Sequence, residues 1–245
     1  NDRPQWLCNG LIRDWVLWQT GGERTADVYK TFVASLRGLS PSEKEILEPG
    51  EPVRLPGDSQ EIPTIRMPYG EVPVLHASAG VQRVMALAYV LVWAWREHLQ
   101  NSALLRKEPQ RRMVLMVDEV EAHLHPRWQR IIVPALMSVV AELAGVVALQ
   151  IHLATHSPMI MASAETVFDE ETDDLHHLRQ EGRRVILEEL PFVRRGRSDW
   201  WLMDKAFGLA QARSLPGERA IENAKQLQLD LSADPAVVRT VHERL

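Results

Sequence analysis

The strongest constraint on the fold is a short apolar run that ends in two acids. Met113 to Val117 is unbroken by any polar residue, lies between Arg111-Arg112 and Asp118-Glu119, and is too short for a helix of ordinary length. Such a run predicts a central strand buried on both faces. A second run, Val146 to Ala154, predicts another, ending at Thr155-His156-Ser157-Pro158. Between them, Arg127 to about Leu143 reads as helical, with a bend expected at Pro134. Strand, helix and strand in that order imply a right-handed βαβ unit in a parallel sheet, and hence an α/β fold.

The rest of the 245 residues gives weaker signals. Residues 1 to about 47 read as helical: Trp6, Leu7, Leu11, Trp15 and Trp18 recur at helical spacing, Gly21-Gly22 interrupts them, and Val28, Phe32 and Leu36 resume. Ser40-Pro41-Ser42-Glu43 reads as a helix start with proline at its first position. From Pro49 to Pro73, prolines and glycines separate pieces such as Pro52–Leu55 and Ile62–Met67, which suit short strands on an exposed ribbon. Val72 to His76 leads into the small turn Ala77-Ser78-Ala79-Gly80 and a long helix to about Leu99. Its apolar stretch Val84–Trp95 is too short for a bilayer and reads as core. Val185–Leu190 reads as a further strand. The tail from Pro216 to Leu245 reads as two helices parted near Asp234-Pro235, with Ser232 as a cap. The organisation expected is a helical and ribbon region (1–70), an α/β core (71–192) and a helical tail (193–245) docked through Trp200-Trp201.

A net charge of −5 provides no global drive toward nucleic acid. The basic cluster Arg194-Arg195-Gly196-Arg197, with Arg183-Arg184, reads as a solvated loop before it reads as a DNA contact. Cys8 is the only cysteine, so no internal disulfide can form and a reducing cytoplasm is expected. The amino terminus has no charged-then-apolar leader and no initiating methionine, which suggests a piece of a longer protein.

Three segments carry chemistry. Asp118-Glu119 places two carboxylates at the carboxyl end of a strand, the edge where open α/β sheets bind ligands. Nucleotide hydrolysis needs one carboxylate near Mg²⁺ and another to orient or deprotonate the attacking water; Asp118 suits the first role and Glu119 the second. Against this, a strand can simply end in solvent-facing acids. His156 ends the other strand and could donate to a phosphate, or it could be a satisfied turn histidine. Ser78-Ala79-Gly80 opens a helix whose N–H groups suit an anion, although Ser78 as a plain cap is the commoner arrangement. Glu121, His123 and His125 offer a rival metal site. Residues at i and i+2 share a face only on a strand, however, and this segment follows one.

Order and spacing connect these segments, because Gly80, Asp118 and His156 are 38 residues apart in each step. LHASAGVQRV resembles the ABC signature motif, VLMVDEVEAHLHP resembles a Walker B strand with its D-loop, and LATHSP resembles the switch histidine. Together they resemble prokaryotic AAA-type, ABC-like ATPases of the RecF/SMC-like group, several of which serve phage-defence operons beside a nuclease. The resemblance covers about Val72 to Ala164. It implies an incomplete P-loop NTPase of the ABC-head type that dimerises around ATP to control an effector or DNA engagement. It also assigns roles: Ser78, Ala79 and Gly80 to the partner's γ-phosphate, Asp118 to Mg²⁺, Glu119 as base, His156 as γ-phosphate sensor, and His123, His125 and Pro126 to a D-loop at the dimer face. Ala77 and Val81 depart from the usual leucine and glutamine. No glycine is followed by lysine, so the phosphate loop G-x-x-x-x-G-K-[ST] is absent and is expected in a preceding lobe. Without that loop, weak or no hydrolysis is expected of this chain alone, and the other function considered is a scaffold that docks an effector nuclease.

Overall fold

The computed structural model describes residues 8–144 and 148–229. The expectations placed on Trp6, Leu7, Val146, Ser232 and Asp234-Pro235 lie outside the described residues. The chain divides into two compact units, Asn1–Val167 and Phe168–Leu245.

In the first unit, helices α1 (Leu11–Thr20) and α2 (Ala26–Gly38) follow the helical spacing of the sequence. Trp15 meets Phe32 edge-on at 4.8 Å between ring centroids, and Trp18 lies 5.6 Å from both Phe32 and Tyr89. The Tyr89 hydroxyl donates to buried Asp14 at 2.7 Å, which gives that carboxylate a partner inside the core. The helix expected at Ser40 does not form. The buried Ser40 hydroxyl donates to the Leu36 carbonyl and accepts the Leu47 amide, so it ties a turn instead of capping a helix.

The ribbon is built from β1 (Glu48–Pro49), β2 (Val53–Arg54), β3 (Glu61–Ile62), β4 (Thr64–Met67) and β5 (Gly70–Pro73). The first, fourth and fifth form an antiparallel sheet in the order β1-β4-β5, and β2 pairs with β3. The ribbon is only partly exposed, since Ile62, Thr64 and Ile65 are buried. Helix α3 (Ala79–Leu104) runs past the expected end and buries Val81, Val84, Met85, Ala88, Leu91 and Val92 along one stripe. Among the described residues, no helix is long and apolar enough to cross a membrane.

The expected parallel pair is present: β6 (Arg112–Asp118) and β7 (Ala148–Ala154) align from Arg112↔Ala148 to Asp118↔Ala154. Neither strand is buried on both faces. Met113, Leu115, Val117, Leu149, Ile151 and Leu153 pack on the core, while Val114 and Met116 are 60% and 79% exposed. This sheet has two strands among the described residues, and the core covers only one of its faces, so an all-apolar run comes to be half exposed. The connection contains α4 (Pro126–Gln129) and α5 (Ile132–Ala144). The helix is interrupted at Arg130-Ile131, not bent at Pro134. Pro134 falls in the first turn of α5, where its missing N–H has no helical acceptor to lose. Helix α6 (Pro158–Ala164) follows β7.

The second unit holds the antiparallel hairpin β8 (Leu175–Glu181) and β9 (Arg184–Leu190), then α7 (Ser198–Leu202) and α8 (Leu215–Leu229). Phe168 stacks on Phe192 at 3.7 Å, and Trp201, buried, lies 5.3 Å from Phe192. Trp200 is 52% exposed.

Candidate functional site

Asp118 is the last residue of β6, and strand alternation puts it on the open face with Met116 and Val114. Its register partner is Ala154, the last residue of β7. The Glu119 amide donates to the Ala154 carbonyl at 3.0 Å, carrying the ladder one residue further before the chain turns away. That turn uses left-handed backbone at Glu119 (φ 47°) and His123 (φ 64°). Buried Val120 and Leu124 anchor it from inside, and the Ala122 and Leu124 amides close it onto the Glu119 and Glu121 carbonyls, each at 2.9 Å. The side chains of Glu119 and His123 are left exposed. His125 then starts α4, its Nδ1 accepting the Arg127 amide at 3.2 Å ahead of Pro126.

His156 leaves the same sheet edge two residues beyond Ala154, with its side chain exposed. Its amide donates to Glu121 Oε1 at 2.6 Å, and the Thr155 hydroxyl donates to Glu121 Oε2 at 2.7 Å. Ser157 caps α6 by accepting the Met159 amide at 3.2 Å and donates to Gln129 Oε1 at 2.7 Å. Gln129 in turn donates to the Leu124 carbonyl. Asp118, Glu119 and His156 therefore end on one edge, held by residues 119–129.

Ser78 caps α3, its oxygen 3.4 Å from the Val81 amide; Ser78 and Ala79 are exposed. Gly80 is buried against the turn after β6, where a Cβ would lie 2.7 Å from the His123 carbonyl oxygen. Gln82 donates to the Val74 and Leu75 carbonyls, fixing the approach to the helix, and Arg83 reaches the Asp118 carbonyl at 3.4 Å. The small-residue turn and the acidic turn, far apart in sequence, thus meet at Gly80 and His123.

Sequence reasoning overlooked Arg83 and Gln129, and for Glu121 it offered only a metal role that the spacing already argued against. Among the described residues no group of three side chains is placed to hold a metal ion, and Glu121 is engaged by Thr155 and His156. The basic cluster is largely paired within its own unit. Arg195 bonds Asp204, Arg197 pairs with Asp199 at 2.8 Å, and Arg194 donates to the Phe168 carbonyl.

Residues 44–161 match the family model of the AAA ATPase domain, a span that includes Ser78, Gly80, Asp118, Glu119, His123 and His156. The chain is also similar to a solved structure from work on ATP-driven dimerization and DNA-stimulated activation of SMC ATPases. The identity is 14%, the match covers 71% of this chain and 90% of that one, and the TM-score is 0.45. A second is the SmcHead bound to the C-winged helix domain of ScpA, at 17% identity over 68% of this chain and 43% of that one, with a TM-score of 0.40.

Proposed function

We propose that the protein, whose residues 44–161 match the family model of the AAA ATPase domain, hydrolyses ATP at a site shared between two copies, switching a partner effector or DNA engagement. The observation that carries this reading is the register Asp118↔Ala154, which brings Asp118, Glu119 and His156 to one sheet edge. Two exposed carboxylates at a strand end are the hard oxygen donors that Mg²⁺ prefers, so the residues present fit the ion. Mg²⁺ bound there would supply positive charge to the phosphate oxygens. Asp118 would hold the ion. Glu119 orients the attacking water and takes its proton, and His156 contacts the γ-phosphate. Ser78, Ala79 and Gly80, with His123 beside them, face the nucleotide of the second copy. These 245 residues hold no phosphate-cradling loop of the G-x-x-x-x-G-K-[ST] type, because no glycine precedes a lysine, so full turnover would need such a loop supplied to the site. The setting is the cytoplasm, consistent with a single cysteine, and the role is phage defence or DNA maintenance.

The absence of that loop also favours a second reading, in which the chain is a scaffold that docks an effector nuclease without turnover. ATP turnover by the full-length gene product separates the two. Glu119→Gln is expected to lower kcat by about 10²-fold or more while an ATP-dependent dimer persists in light scattering. Normal turnover by this variant would remove Glu119 as the base. No turnover by the wild type would favour the scaffold. The 245-residue chain alone is expected to hydrolyse ATP slowly; turnover equal to the full-length protein would sink the claim of an external loop.

A further inference from the structure

We infer that Glu121 is a positioning residue that sets where His156 stands; this assignment rests on the reading of His156 as a phosphate contact. The three residues after β7 leave the ladder at Ala154, so their backbone needs partners from elsewhere. Glu121 provides one, accepting the His156 amide at 2.6 Å, and its other oxygen accepts the Thr155 hydroxyl at 2.7 Å. The Thr155 oxygen already accepts the Ser157 amide at 3.0 Å, so its proton is the one pointed at Glu121. Both groups facing the carboxylate are donors, and only an acidic side chain offers an acceptor to each. Bonds to an ionised acceptor are also the stronger kind. Glu121 lies in the same turn as Glu119, between the left-handed residues Glu119 and His123. One short turn therefore presents Glu119 outward and grips the His156 loop at the same time. Any displacement of that turn moves both groups together.

The chemistry also ranks the replacements. Glutamine keeps one acceptor for the His156 amide but turns an N–H toward the Thr155 hydroxyl, so it should retain part of the grip. Alanine retains none. Thr155→Val leaves the His156 bond, removes the other one and also takes away the acceptor of the Ser157 amide.

The test has two readouts. In the 245-residue chain, Glu121→Ala is expected to speed hydrogen exchange at the His156 amide about tenfold or more, with β6 and β7 amides unchanged, and Glu121→Gln and Thr155→Val to fall between. In the full-length gene product, Glu121→Ala should lower kcat about tenfold or more with KM for ATP within about twofold, and Glu121→Gln should restore part of it. If Glu121→Ala does not fold, the other two variants carry both measurements. Wild-type exchange at His156 in the variants would overturn the proposal. So would faster exchange with unchanged kcat, in a protein whose turnover Glu119→Gln abolishes. Faster exchange in a protein indifferent to Glu119→Gln would overturn the hydrolysis reading and leave the grip on the loop standing.

Discussion

Gly80 and His123 touch through their backbones: a Cβ on Gly80 would stand 2.7 Å from the His123 carbonyl oxygen, well inside van der Waals contact. Gly80→Ala must therefore push the turn after β6 away from α3. Overpacking of this kind costs about 1–3 kcal/mol, against roughly 1 kcal/mol gained from alanine's better helix propensity. We expect a lowered Tm and faster amide exchange across residues 119–125. Gly38→Ala, whose Cβ would meet a Val139 methyl at 2.6 Å, should be milder because a side chain can yield where a backbone oxygen cannot. Equal stability of Gly80→Ala and wild type would contradict the contact.

Tyr89 and Asp14 give a pH prediction. Burial first, and then the hydrogen bond to Asp14, push the Tyr89 phenol far above its ordinary value. A raised folded pKa means that the unfolded chain loses this proton first. The contribution is whole below about pH 10 and declines as pH rises beyond it. Tyr89→Phe strands one carboxylate oxygen inside the core and should cost about 1–3 kcal/mol at neutral pH. Denaturant titrations at pH 7 and 10.5 should show a smaller alkaline loss in the variant; an identical loss in both proteins would argue against the assignment.

The one-sided burial of β6 separates neighbouring residues. Leu115→Ala should cost about 2 kcal/mol or more, because Leu115 packs on the core. Met116→Gln, at a position 79% exposed, should change stability by less than about 0.5 kcal/mol. Comparable losses from the two substitutions would mean that the open face is covered in solution.

These contrasts show where the sequence was informative. Asp118 was legible because it terminates an unbroken apolar run, whereas His156 was legible from the motif Thr155-His156-Ser157-Pro158 that follows the second strand, since Gln150 and His152 already interrupt that strand's apolar residues. Which face of β6 is covered was not legible, since MVLMV contains no polar residue to mark the outside. Strand β8 escaped notice because LHHLRQE has neither alternation nor β-branched residues; its pairing with β9 defines it. The role of Glu121 was not legible for a different reason. Its spacing to His123 and His125 argues against a ligand set but names no partner, and the turn anchored by Val120 and Leu124 aims its carboxylate at Thr155 and His156. That direction depends on two left-handed residues that no local pattern announces. The Gly80–His123 contact is likewise invisible at a separation of 43 residues.

The left-handed backbone at Glu119 sets two selection pressures against each other. Glycine or asparagine would relieve roughly 1 kcal/mol of backbone strain there, at the expense of the carboxylate. In a randomised library at positions 119 and 123, a screen for heat resistance alone should therefore enrich glycine and asparagine. A screen for turnover should return glutamate at 119 and histidine at 123, the residue placed beside the second copy's nucleotide. The divergence between the two winning populations would measure how far this turn has been shaped by chemistry instead of by folding.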